Sequence, residues 1–188
     1  MKSDMFLSKF RSRRRFLFSK LPKFSTGAEI GVWRGAFSQE ILARCQPRAL
    51  HLVDPWLFDP SFPRRWYGGG EAKSQSDMDA IYGSVVARFR SRPEVSVHRS
   101  PSHEAATAFP DHSLDWVYID GDHSYEAVRR DLADWSAKVK PGGLIVGDDY
   151  EWKDESGACS VKRAVDEFAA AGPVRWVLMK NDQFILAV

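Results

Sequence analysis

Two segments of the chain concentrate side chains that could do chemistry. Val117-Tyr118-Ile119-Asp120-Gly121-Asp122-His123-Ser124 and Pro141-Gly142-Gly143-Leu144-Ile145-Val146-Gly147-Asp148-Asp149-Tyr150 each run an apolar stretch into carboxylates. If the two stretches are neighbouring strands of an open α/β sheet, Asp120, Asp148 and Asp149 converge beyond their carboxyl ends, where such sheets bind ligands. Three converging carboxylates repel one another unless a cation joins them, and hard oxygen donors in that number suit Mg²⁺. The plainer alternative is that Asp148 and Asp149 are solvated loop residues. His123 follows Asp120 by three positions, just ahead of a helix, and an imidazole there could take a proton near neutral pH.

A second set lies earlier in the chain. In Glu29-Ile30-Gly31-Val32-Trp33-Arg34-Gly35 a strand closes and a helix opens. Gly31 and Gly35 allow a ligand to approach the backbone at a helix start, where N–H groups are unpaired. A dinucleotide site would prefer a second glycine where Val32-Trp33 stands, and the Glu29 carboxylate would repel phosphate but accept hydrogen bonds from an ammonium group. Asp54 ends the run Leu52-Val53-Asp54, 23 positions after Gly31, a spacing that lets a carboxylate accept ribose hydroxyls. As an isolated residue it could equally cap the turn at Pro55.

Positioning these residues requires elements with aligned ends. From Ala28 onward short apolar runs alternate with stretches of helical period, the pattern of a parallel sheet covered on both faces. The strands expected are 28–31, 49–53, 95–98, 114–119, 144–147, 174–179 and 184–188. The helices expected are 36–45, 77–92, 102–109, 125–139 and 160–171. Only Lys180-Asn181-Asp182-Gln183 separates the last two strands, too short for a helical crossover, so they should form an antiparallel hairpin at the sheet edge. Residues 55–76 fit no regular element; their aromatics (Trp56, Phe58, Phe62, Trp66, Tyr67) argue for a lid or substrate wall, or for plugs in the core.

At 188 residues, 44% hydrophobic and 28% charged, the chain has room for one soluble domain, and no stretch approaches the ~18 apolar residues of a membrane span. Cys45 and Cys159 make neither a disulfide framework nor a zinc site, so a reducing cytoplasm is the default. The net charge of +2 hides an asymmetry: residues 1–23 hold eight Lys/Arg and one Asp, leaving 19 basic and 24 acidic residues beyond them. The basic arm, residues 1–24, superficially matches a twin-arginine signal at Ser12-Arg13-Arg14-Arg15-Phe16-Leu17-Phe18, but no apolar region or cleavage site follows. An amphipathic helix with Met5, Phe6, Phe10, Phe16 and Leu17 turned inward is the alternative.

Taken in order, EIGVWRG, LVDPW, IDGDHSYEAVRRDL and KPGGLIVGDDY resemble the class I S-adenosylmethionine-dependent methyltransferases. More narrowly they are similar to the metal-dependent macrocin and mycinamicin sugar O-methyltransferases, and more distantly to catechol O-methyltransferase. The resemblance covers about residues 25–188, which would form the methyltransferase domain; the basic arm and the 55–76 loop lie outside it. It implies an α/β, Rossmann-like doubly wound sheet of seven strands, mostly parallel with an antiparallel C-terminal hairpin strand. It implies that Glu29, Gly31 and Gly35 hold the methionine part of S-adenosylmethionine, Asp54 the ribose, and Ser102 with His103 the adenine edge, with Asp120 bordering the cofactor. Asp120, Asp148 and Asp149 match metal ligands, and His123, with Asp122 second, matches the catalytic base. The implied activity is methyl transfer to a hydroxyl of a small molecule, a sugar or phenol. The competing function is a nucleic-acid-binding or RNA-modifying protein using the basic arm, although Asp148-Asp149-Tyr150-Glu151 lacks the Asp/Asn-Pro-Pro-aromatic run of base methylases. The partners this reading allows are a small hydroxylated substrate and a second copy of the chain in a homo-oligomer.

Overall fold

The computed structural model describes residues 16–154, 156–172 and 174–188. Seven strands form one sheet: β1 (Thr26–Ile30), β2 (Ala49–Asp54), β3 (Val95–Arg99), β4 (Leu114–Ile119), β5 (Val139–Gly147), β6 (Trp176–Lys180) and β7 (Gln183–Ala187), in the order β3-β2-β1-β4-β5-β7-β6. The helices are α1 (Ala36–Cys45), α2 (Gln75–Phe89), α3 (Ser102–Thr107), α4 (Tyr125–Ser136) and α5 (Ser160–Ala171). Strands β1 to β5 pair in parallel, and β7 runs antiparallel to both β5 and β6. The chain is thus the expected doubly wound α/β fold.

Alternation along the strands builds two cores. Ala28, Ile30, Val117, Ile119, Ile145, Phe184 and Leu186 face one side, with Val128, Leu132 and Trp135 of α4 and Val161 and Val165 of α5. Leu50, Leu52, Trp116, Tyr118, Val146 and Ile185 face the other, with Ile41 of α1 and Met78, Val85 and Phe89 of α2. Because both faces are buried, the central strands read as nearly continuous apolar runs.

Register aligns the strand ends. Ile30 pairs with Val53 and with Ile119, and Ile119 pairs with Gly147. Gly31, Asp54, Asp120 and Asp148 therefore stand along one rim, where the order reverses at β1 and crossovers leave in opposite directions.

Several boundaries differ from the sequence expectation for local reasons. Helix α2 starts at Gln75 because the Ser74 hydroxyl accepts the Asp77 N–H as its cap. Helix α4 stops at Ser136 because Val139 already pairs with Leu114; a register shift then carries β5 past Pro141-Gly142-Gly143 to the Trp116–Leu144 pair. The C-terminal hairpin is present, but β7 is inserted between β5 and β6 and buried along its whole length, so of the two hairpin strands only β6 is an edge. The 55–76 segment contains a wide π-type turn at Trp66–Gly70, and its aromatics divide: Trp56 is wholly buried, whereas Trp66 is 59% exposed.

Of the basic arm, Met5, Phe6, Phe10 and the arginine run lie outside the described residues. Its end is part of the second core: Leu17 and Leu21 are buried, and the Phe18 ring stacks on Phe37 of α1 with centroids 5.4 Å apart. Among the described residues no helix is long and apolar enough to cross a membrane. Removing the Leu17 side chain would leave a cavity under α1. Leu17→Ala is expected to lower unfolding free energy by roughly 2–5 kcal/mol in urea titration; a loss below about 1 kcal/mol would show that this segment is not docked.

Candidate functional site

The rim is built from β-strand ends whose turns are tied by carboxylates. Gly31 adopts φ +89°, and a Cβ there would fall 2.1 Å from the Asp120 carbonyl oxygen, so only glycine lets the β1 and β4 ends approach this closely. The Asp120 N–H donates to the Ile30 carbonyl at 2.8 Å across that contact. Gly35, buried and at φ 70°, is the residue from which α1 starts; its N–H donates to Val32 O at 2.9 Å.

Asp54 is 8% exposed and heavily engaged. Its Oδ2 accepts the N–H groups of Val32 (3.0 Å) and Trp33 (2.9 Å), and its Oδ1 accepts that of Trp56 (2.7 Å). Burial pushes its carboxyl above the ordinary range, while the three backbone N–H groups pull it back. The carboxylate thus fastens the β1 turn to the start of the 55–76 loop, and Oδ1, with one N–H accepted, keeps a second lone pair. Glu29, one residue before the end of β1, is 1% exposed, and its charge is felt at the Tyr118 hydroxyl beside it.

Beyond β4 and β5, ligand-capable atoms of Asp120, His123 and Asp149 all lie within 4.8 Å of one another. His123 sits between the two acids, with Nε2 3.4 Å from Asp120 Oδ1 and Nδ1 3.7 Å from Asp149 Oδ2. Burial alone would lower the imidazole pKa, but the Asp120 hydrogen bond and the two carboxylate charges outweigh it and raise the value. Desolvation raises Asp120 in turn, against the opposing pull of His123. The Tyr118 hydroxyl donates to Asp120 Oδ2 at 3.1 Å.

The remaining expected residues are placed less centrally. Asp148 is not in the three-residue cluster; its Oδ1 accepts the N–H of Asp149, which holds a left-handed φ of 58°. Exposed Asp122 accepts from the Ser124 N–H (3.0 Å) and hydroxyl (3.2 Å), shaping the start of α4. The Ser102 hydroxyl is occupied within the chain: it donates to Asp131 Oδ1 at 2.6 Å and accepts from Trp135 Nε1 at 2.8 Å. His103 next to it is partly exposed, with Nε2 3.9 Å from Glu104.

Three residues were not anticipated. Tyr118 looked like one more strand residue, and only the β4 register reveals that its hydroxyl reaches Asp120. Trp152 packs edge-on against His123, ring centroids 5.4 Å apart, from a segment that carries no regular pattern. Asp131 had a legible signal: it interrupts the α4 seam of Val128, Leu132 and Trp135 and must be buried with them.

A family model described as a methyltransferase domain matches residues 28–150. The chain belongs to this family of S-adenosylmethionine-dependent methyltransferases. No curated protein sequence matches it. Solved structures share the methyltransferase's fold at low identity. A protein from Corynebacterium glutamicum is 12% identical, with 91% of this chain and 78% of that one covered and a TM-score of 0.64. Fibrillarin from Aeropyrum pernix, in complex with S-adenosylmethionine, is 12% identical over 89% of this chain and 67% of that one, TM-score 0.57. The O-methyltransferase NovP is 20% identical over 96% and 77%, TM-score 0.58.

Burial raises the Asp131 carboxyl of the methyltransferase from an ordinary 3.8 to about 6. Between those values the unfolded chain releases this proton and the folded chain keeps it, so stability falls as pH rises through that window and is not recovered above it. Asp131→Asn, which can still accept from Ser102, should be more stable than wild type by about 1–3 kcal/mol at pH 7.5 and about equal to it near pH 4. Urea unfolding at both pH values tests this; a difference independent of pH would contradict it.

Proposed function

We propose that this methyltransferase transfers the methyl group of S-adenosylmethionine to a hydroxyl of a small molecule, a sugar or phenol, with a divalent ion such as Mg²⁺ assisting. The observation that carries the reading is the Asp120–His123–Asp149 cluster at the rim beside the β1 turn. The donors there suit the cofactor. The buried Glu29 carboxylate would face the ammonium group, the Gly31 turn would lie along the methionine part, and Asp54 Oδ1 would accept a ribose hydroxyl. Ser102 and His103, at the start of α3, would border the adenine.

The reaction is an in-line displacement. The acceptor oxygen forms a bond to the methyl carbon as the carbon–sulfur bond breaks, its electron pair passing to sulfur to give S-adenosylhomocysteine. The hydroxyl proton must leave, and His123 would take it on Nδ1, the ring nitrogen that makes no hydrogen bond among the described residues. Asp120 and Asp149 would then hold the resulting imidazolium in place. Exposed Asp122, committed to the α4 turn, is the weaker candidate for base.

The same donor set fits a divalent ion: Asp120 and Asp149 offer hard oxygens at short separation, with Asp148 adjoining. An ion held there would make a neighbouring hydroxyl more acidic. Alignment of oxygen, carbon and sulfur would fall to the rim and to the loop that reaches it through the Arg65–Trp152 contact.

Methyl transfer from labelled S-adenosylmethionine to a panel of sugars and catechols is the test. Activity should be lost in EDTA and restored by Mg²⁺, and His123→Ala should lower kcat by about 10²–10⁴-fold. Transfer that is indifferent to both EDTA and His123→Ala would overturn the assignment of roles.

A further inference from the structure

The 55–76 loop carries a cation, Arg65, with which no acid among the described residues pairs. Arg34, Arg92, Arg99 and Arg163 each pair with a carboxylate. Half-buried Arg65 forms no salt bridge among the described residues; its guanidinium instead stacks on Trp152, 4.4 Å from the ring centroid. The same indole contacts His123 at 5.4 Å. Guanidinium and imidazole are therefore no farther apart than the sum of those two distances, about the reach of one small molecule.

The backbone of Arg65 is fixed with unusual care for a loop residue. Its N–H donates to Phe62 O at 2.9 Å, and its carbonyl accepts from Gly68 (3.1 Å) and Gly70 (2.7 Å). A Cβ on Gly68 would lie 2.2 Å from Phe62 O, and one on Gly70 would lie 2.7 Å from Arg65 O, so the Gly68-Gly69-Gly70 run is what permits this turn to close. The charge of Arg65 acts on both His123 and Tyr67, and Tyr67 also feels Asp122. Arg65 thus stands at the margin of the acidic cluster, on the side covered by the loop.

We propose that Arg65 receives an anionic group, a carboxylate or a phosphate, carried by the methyl acceptor a few bonds from its reacting hydroxyl. The inference rests on the reading that Asp120, His123 and Asp149 surround that hydroxyl. Two physical points support it. The Asp120 and Asp149 carboxylates flank the proposed hydroxyl position, so an anionic acceptor gains from a compensating cation nearby. A guanidinium offers five N–H donors in a planar fork that matches carboxylate and phosphate oxygens, and its weak hydration and stacking on an indole lower the cost of using it in a half-buried place.

The test is calorimetric titration, with S-adenosylhomocysteine already bound, of two matched pairs: 3,4-dihydroxybenzoate against its methyl ester, and glucose 6-phosphate against glucose. Wild type should bind at least one anionic member about tenfold or more tightly than its neutral partner. Arg65→Gln should erase that preference, and Arg65→Lys should keep part of it, with S-adenosylhomocysteine affinity unchanged in both variants. The pair that responds distinguishes carboxylate from phosphate. Equal affinity within both pairs, no binding of either anion, or a preference that survives in Arg65→Gln would overturn the inference while leaving the proposed reaction intact. Failure of S-adenosylhomocysteine to bind at all would overturn both.

Discussion

Three backbone N–H groups converge on the carboxylate of Asp54, and the upper side of the sheet depends on that convergence. Two of them belong to Trp33 and Trp56, both of which hold left-handed backbone angles, φ 53° and 42°. Such conformations cost of order 1–3 kcal/mol each for residues with a Cβ, and they persist only where the surroundings fix them. Asp54 supplies part of that fixation. The rest comes from the wholly buried Trp56, whose Nε1 donates to the Trp33 carbonyl at 2.8 Å. One carboxylate and one indole thereby lock the β1 turn to the root of the loop that crosses the site.

The same device recurs on the other side of the switch point. Asp148 accepts the N–H of left-handed Asp149, and this turns the Asp149 carboxylate back toward His123 and Asp120. At the ends of β2 and β5, then, the hydrogen bonds of one acid fix the backbone geometry of its neighbours. This explains why consecutive acids in the sequence do not act alike: Asp148 and Asp122 build turns, while Asp149 and Asp120 meet at His123. The bridging imidazole draws its raised proton affinity from the acids on either side.

Much of this was legible in the sequence. Continuous apolar runs such as Leu114–Ile119 give away strands buried on both faces, and the boundaries of α1 and α5 follow from their periodicity and from Gly35 and Gly172. The four-residue link at 180–183 required a hairpin, but nothing local could say that β7 would insert beside β5, because strand order is decided by which edge leaves both faces covered. In the site, the strand-end rule placed Glu29, Asp54 and Asp120 on one rim. What it could not resolve was the hydrogen-bond commitment of each side chain. The engagement of Asp54 with Val32 and Trp33, of Ser102 with Asp131, and of Arg65 with Trp152 links residues that are distant in sequence and becomes visible only when register and loop path are known.

We propose that the aligned ends of β1, β2 and β4 form the cofactor site, with the buried Glu29 carboxylate as the anchor for its ammonium group. Calorimetric titration of S-adenosylhomocysteine into wild type and Glu29→Gln addresses it most directly. A single site per chain is expected, with a loss of about tenfold or more in affinity for Glu29→Gln, folding being checked by circular dichroism. Absence of binding to the wild type, or equal affinity in a folded Glu29→Gln, would contradict it.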